Sequence, residues 1–176
     1  MIIREAKISD EAQVRRIHLQ AFDSSENELV AGLACDLLHE PTIPETIHLV
    51  AKLDHLPVGH VAFSPVWSNN KHQLLGYILA PLAVIPGQHK KGIGSALVHH
   101  GIDMLKQRGI GSLIVYGDPN YYGRFGFQED LAAPYLPPYE LEYPNGWQAL
   151  IFDSDMVPTS AEKIKCVQAL EQPELW

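Results

Sequence analysis

The chain is poor in cysteine and in basic charge, and it has no long apolar run. Only Cys35 and Cys166 occur in 176 residues, far apart and within segments that read as element interiors. A disulfide framework is therefore excluded, and two buried, reduced thiols are expected. Neither lies in the basic, glycine-rich setting that lowers a thiol pKa. Lys and Arg number 13 against 21 Asp and Glu, a formal net charge of -8. That balance argues against nucleic acid or an anionic membrane as the main partner and suits a cationic one. The longest apolar-looking stretch, residues 74–85, is interrupted by Gly76 and Pro81 and is too short to span a bilayer. The N-terminus, MIIREAKISDE, is charged from Arg4 onward and lacks the uncharged core of a signal peptide, which predicts a cytoplasmic protein. Nine histidines include no His-Glu-x-x-His or comparable ligand spacing, so no metal is expected.

What is present reads as one globular domain, residues 1–176. Hydrophobic residues make up 46% and charged residues 19%, with no repeat or low-complexity run, so disorder is not indicated. Residues 1–7 read as a short strand. Ser9 then caps a helix over 10–22, with Asp10 and Glu11 in its first turn and an apolar stripe of Val14, Ile17, Leu19, Ala21 and Phe22. A second helix over 26–39 presents Leu29, Val30, Leu33, Leu37 and Leu38, and Pro41 with Pro44 closes it. Strands over 45–53 and 58–67 are joined by the turn-like Asp54-His55-Leu56-Pro57, which predicts an antiparallel hairpin. A long strand over 73–85 carries Gly76 and Pro81 inside it, marks of a bulge or of pairing given up.

Residues 81–109, PLAVIPGQHKKGIGSALVHHGIDMLKQRG, organise the rest as strand, glycine turn and helix. Pro86 ends the aliphatic run of Leu82, Val84 and Ile85 because it has no amide hydrogen for a ladder. Lys91-Gly92-Ile93-Gly94-Ser95 opens a helix whose stripe is Ile93, Leu97, Val98, Ile102 and Leu105, and Gly109 stops it. The first amides of a helix lack internal partners, and the dipole adds about half a positive charge there. Two glycines let an anion approach closely, and Lys90 and Lys91 add charge, so the turn reads either as a pyrophosphate cradle or as a plain basic turn. A Walker loop needs Gly-Lys followed by Ser or Thr, whereas Gly94 is followed directly by Ser95. A dinucleotide fingerprint needs a third small residue where Leu97 stands.

A parallel strand over 111–116 completes a β-α-β unit, and 120–125 reads as a helical turn before Gly126-Phe127. The segment 134–147, crowded with Pro134, Pro137, Pro138 and Pro144 among tyrosines, reads as a stiff loop. Strands over 147–152 and 163–167 close the chain. The order predicts an α/β fold: a mixed, mostly antiparallel sheet with a central parallel β-α-β unit and helices on both faces.

Two motifs, LAVIPGQHKKGIGSAL and YYGRFGF over 121–127, together with this element order, resemble the GNAT superfamily of acyl-CoA-dependent N-acyltransferases across nearly the whole chain. GDPNYYGRFGF, the APLAVIP strand and the closing QPELW look like a branch of small N-acetyltransferases within it. The resemblance implies acetyl-CoA as cosubstrate. The family's Gln/Arg-x-x-Gly-x-Gly/Ala signature falls on His89, Lys90, Lys91, Gly92, Ile93 and Gly94, with Ser95 next, so these amides would hold the coenzyme A pyrophosphate. His89 departs from the usual Gln or Arg, and Gln88 stands one position early. Backbone groups of Leu82 and Val84, with Ala83 between them, would pair with the pantetheine arm like an added strand.

Tyr122 matches the family's tyrosine that protonates the departing thiolate; a plain cluster of core aromatics is the other account of Tyr121, Tyr122, Phe125 and Phe127. Donation from a phenol near pKa 10 to a thiolate near 8.5 is uphill by about 2 kcal/mol. An ordinary amine is only about one part in 2,500 neutral at pH 7, a deficit of about 4.6 kcal/mol that a base offsets. Glu26 and Glu28, in the region where the family binds acceptors, are the remaining candidates, and Glu28 is taken as the base. The 134–147 loop, with Glu140 and Glu142, is either a cover that favours a cationic acceptor or a surface connection. The implied reaction is direct acetyl transfer to an amine in a ternary complex; the alternative is a non-catalytic acyl-CoA-binding sensor or interaction module. The acceptor is not legible, and a homodimer is left open.

Overall fold

Arg4 and Asp10 fix the start of the chain. Arg4, in β1 (Ile2–Glu5), donates two hydrogen bonds of 2.7 Å to the Asp10 carboxylate, which also accepts from the Lys7 amide at 2.8 Å. Asp10 ends a 3-10 turn, Ile8–Asp10, and stands at the N-cap of α1 (Glu11–Ala21). The cap therefore falls one residue later than Ser9, which the turn absorbs. Tertiary pairing with Arg4 selects the carboxylate over the hydroxyl.

The structure is a computed structural model describing residues 1–176. It forms two compact units, Met1–Phe63 with Ala80–Asp103 and Ser64–Leu79 with Met104–Trp176. Three elements, β3 (Leu56–Ser68), β4 (Leu74–Val84) and α3 (Ile93–Gln107), contribute to both.

In the first unit β2 (Ile47–Leu53) pairs antiparallel with β1 and with β3, placing Ile2 opposite Lys52 and Ile47 opposite Phe63. The β2–β3 turn is the predicted hairpin, with Asp54 and His55 both at positive φ (46° and 66°), as a two-residue primed turn requires. The Ile85 amide donates to the Val58 carbonyl at 3.0 Å and ties the exit of β4 to β3. Val14 of α1 and Ala34 of α2 (Asn27–His39) pack on Val50 of β2. The buried face of α2 is Ala31, Leu33, Ala34, Cys35 and Leu37, whereas Leu29, expected inside, is 37% exposed. The face turns because the small Ala31 and Ala34 point inward.

The other face of this sheet carries α3. A Cβ on Gly59 of β3 would lie 3.1 Å from the side chains of Ile93 and Leu97, and one on Gly101 of α3 would lie 2.0 Å from the Phe63 ring. Each element thus seats its side chains on a glycine of the other. All five predicted stripe residues, Ile93, Leu97, Val98, Ile102 and Leu105, are buried.

In the second unit β4 pairs parallel with β5 (Ser112–Tyr116) only across Tyr77–Leu79, and β5 pairs antiparallel with β7 (Trp147–Ile151). The parallel unit is as expected, and so is pairing given up near Pro81. Gly109, at φ 71°, ends α3, with the Ile110 amide bonded to the Leu105 carbonyl at 3.0 Å. Before β7 come α4 (Pro119–Tyr122) and β6 (Tyr135–Leu136). The tyrosine-proline segment is thus more than a loop: β6 pairs parallel with β8 (Glu162–Lys165), Tyr135 is buried, and its carbonyl accepts from the Trp147 indole at 2.7 Å. Strand β8 also pairs with the end of β3. Cys35 and Cys166 are free and buried.

Two stability predictions follow from these contacts. Gly101→Ala forces a methyl group into the Phe63 ring and is expected to cost about 1–3 kcal/mol in urea unfolding, with a cost near zero contradicting the close approach. Hydrogen bonding from Arg4 lowers the Asp10 pKa to about 2. Its contribution is therefore present above about pH 4 and lost as pH falls through about 2, so the stability difference between wild type and Asp10→Asn should shrink across that window.

Candidate functional site

The strongest concentration of expected site residues lies in the first unit, where β4 hands over to α3. Ala83 is buried, and Leu82 and Val84 on either side are half-buried. Pro86 opens a 3-10 turn, Pro86–Gln88, that lifts the chain off the sheet. The exposed His89 then folds back, its Nε2 donating to the Val84 carbonyl at 2.7 Å. That carbonyl belongs to the backbone expected to pair with pantetheine, and its second lone pair remains for another donor. The Lys91 ammonium donates to Gln88 Oε1 at 2.8 Å, so Gln88 holds a cradle lysine in place.

Lys90 and Gly92 both have positive φ, 61° and 77°. A Cβ on Gly92 would meet nothing within 4 Å, so glycine serves the backbone conformation there and leaves the turn uncovered. The helix begins at Ile93, which is buried, and the Ala96 amide makes the first α-helical bond to the Gly92 carbonyl at 2.9 Å. The amides of Ile93, Gly94 and Ser95 precede that bond and have no intrahelical acceptor. Gly92 has no side chain to cap them. Their donors and the dipole of a 15-residue helix therefore meet beside Lys90 and Lys91, an arrangement suited to a pyrophosphate.

Tyr122 lies in the second unit, as the last residue of α4. Asp118 caps that helix by accepting from the Asn120 amide at 2.9 Å, and Pro119 follows. The Tyr122 ring stands edge-on to Tyr121 and Phe127, with centroids 5.0 and 5.7 Å away. A Cβ on Gly117 would lie 2.4 Å from the ring, so that glycine is what lets it sit there. Burial, with a smaller effect of Tyr121, pushes its phenol well above the ordinary value, so the group stays protonated at neutral pH. Arg124, which the sequence reading did not single out, lies 3.9 Å over the Tyr121 ring and donates from Nε to the Tyr121 carbonyl.

Glu28 is in the first turn of α2, its carboxylate accepting from Arg15 of α1 at 2.5 Å with the side chain 71% exposed. Glu26 stands at the N-cap of the same helix and is exposed. No group of three or more His, Cys, Asp and Glu side chains converges to hold a metal, and no helix is long and apolar enough to cross a membrane.

The first unit also holds a buried polar group that went unread: His18 of α1, His48 of β2 and His60 of β3 form one hydrogen-bonded chain. Its signal was present, since each histidine interrupts an otherwise apolar pattern.

A family model described as the acetyltransferase (GNAT) family matches residues 12–127. The chain belongs to the GNAT family. Among curated GNAT relatives, it is 33% identical over 138 residues to the uncharacterized N-acetyltransferase YjhQ of Escherichia coli K12, spanning 75% of each chain. It is 38% identical over 107 residues to E. coli YhbS, spanning 60% of this chain and 62% of that one. The crystal structure of E. coli YhbS in complex with CoA superposes with a TM-score of 0.84 at 25% identity, covering 97% of this GNAT chain and 92% of that one. A GNAT acetyltransferase from Brucella melitensis in complex with acetyl-CoA gives 0.68 at 26% identity, over 96% of each. These likenesses match the expected fold.

Gly94→Asp places a carboxylate at the positive end of α3. It should leave thermal stability unchanged or slightly higher while weakening coenzyme A binding at least tenfold by calorimetry. Unchanged affinity would remove the anion cradle.

Proposed function

We propose that this GNAT chain transfers the acetyl group of acetyl-CoA to an amine by direct attack while both are bound. The observation that carries the reading is the glycine-started α3 at the exit of β4, in a chain similar to GNAT structures determined with CoA and acetyl-CoA. In this reading the amides of residues 92–95, with Lys90 and Lys91, hold the pyrophosphate, and the β4 backbone at Leu82 and Val84 aligns the pantetheine. Rate then comes mainly from holding amine and thioester together.

The amine lone pair attacks the thioester carbonyl carbon, the C–S bond breaks, and Tyr122 gives its phenolic proton to the departing sulfur. A buried phenol is a weak acid, yet the same desolvation raises the pKa of a buried thiol. The difference between the two pKa values governs the transfer. Glu28 is assigned the proton that leaves the amine. The net charge of -8 favours a cationic acceptor.

The test is a panel of polyamines, aminoglycosides, amino acids, peptides and lysine-bearing proteins with acetyl-CoA, read by release of free thiol. Tyr122→Phe is expected to lower kcat about 100-fold or more with coenzyme A affinity unchanged; full activity would assign Tyr122 to packing alone. Glu28→Gln should lower kcat with coenzyme A affinity unchanged, and an unchanged kcat would take the base role away from Glu28. An acetyl-CoA-binding protein inactive toward every amine, in wild type and both variants, would support the sensor reading.

A further inference from the structure

Three imidazoles meet in the layer between the first unit's sheet and its α1–α2 face, and the hydrogen bonds among them run in one direction. His48 Nε2 lies 3.1 Å from the Leu37 carbonyl of α2, which can only accept, so Nε2 carries the hydrogen. In the neutral ring His48 Nδ1 is then an acceptor, and it lies 3.3 Å from His60 Nε2, which must donate. His60 Nδ1 is likewise an acceptor, 2.9 Å from His18 Nε2. The chain ends at His18 Nδ1, a buried acceptor without a partner. All three rings are thus Nε2–H tautomers, and the series joins α1, β3, β2 and α2.

The charges acting on these rings are their own: His48 acts on His18, and both act on His60, while α2 supplies only the Leu37 carbonyl. Phe22 of the α1 exit stacks on His18. Burial lowers the pKa of His18 and His48 to about 4 and holds that of His60 well below the ordinary histidine value. The helix-to-helix ion pairs nearby, Glu11–His39 and Arg15–Glu28, are exposed and lie outside the imidazole chain.

We propose that this imidazole chain is an acid-responsive clasp that holds α1 and α2 on the sheet while uncharged and releases them when protons enter it. A proton arriving at His18 Nδ1 makes an imidazolium, and transfers from Nε2 to the next Nδ1 carry the charge to His60 or His48. No carboxylate compensates it, and a second proton is repelled by the first. Once α1 and α2 open, all three rings reach water and each takes a proton, so opening gains protons below the ordinary histidine value near 6.5. The side chains of Gly59 and Phe63 positions face α3 and His60 lies between them in the strand, so the clasp is on the sheet face away from α3.

The test is amide hydrogen exchange of the full chain from pH 7 to pH 4.5, read as protection factors. Protection of α1 and α2 is expected to fall at least tenfold per pH unit below about 6, while residues 93–103 of α3 keep theirs. His60→Gln preserves a donor and an acceptor at the centre of the chain without a titrating ring, and should make that fall shallower by about tenfold per pH unit. No pH dependence, an equal loss in α3, or an unchanged slope in His60→Gln would overturn the clasp. Should His60→Gln not fold, histidine nitrogen shifts of the wild type decide. Three neutral Nε2–H rings at pH 7 that titrate together support it, and an Nδ1–H or charged ring at pH 7 overturns it.

Discussion

The close contact of α3 with β3 is the constraint on which the rest of the structure depends. It is made by glycine on both sides: Gly59 receives Ile93 and Leu97, and Gly101 receives the Phe63 ring. With the helix axis held this near the strand, its first turn has little freedom, and the amides of residues 93–95 are presented at a fixed place beyond the end of β4. A phosphate site built on backbone donors would depend on such rigidity, because an amide cannot swing to follow a displaced helix as a side chain can.

The two faces of the first unit's sheet are held by different physics. Against α3 the contacts are apolar and insensitive to pH. Against α1 and α2, an apolar cluster of Val14, Ala34 and Val50 is joined by a chain of three imidazoles, whose burial is favourable only while they stay neutral. The glycine turn that starts α3 is thereby attached to the face whose contacts are apolar.

Local patterns carried the expectation where local physics decides. The α3 stripe and its glycine stop depend on neighbours within a few positions and appear as read, and the hairpin expected at 54–57 is present with its turn tightened to Asp54 and His55. Distant partners defeated the reading elsewhere. Ser9 is a good cap by type, but Arg4 reaches Asp10; Leu29 looks inward by hydrophobicity, but alanines set the α2 face; β6 exists only because β8 lies beside it. The histidine chain joins residues separated by 42 and 12 positions, and no short motif records it. Within the candidate site, the glycine turn that opens α3 was legible from Gly92 and Gly94, whereas the His89 contact with Val84 and the Lys91 contact with Gln88 depend on how the chain folds back after Pro86.

The central claim, that the start of α3 binds the coenzyme A pyrophosphate, is tested most directly by amide proton and nitrogen shifts of residues 92–95 during titration with coenzyme A and, separately, with pantetheine. Hydrogen bonding to an anion moves amide protons downfield. The account predicts large, saturable downfield shifts at these amides with coenzyme A and small ones with pantetheine, which lacks the pyrophosphate. Saturating coenzyme A that leaves the 92–95 amides in place would contradict it.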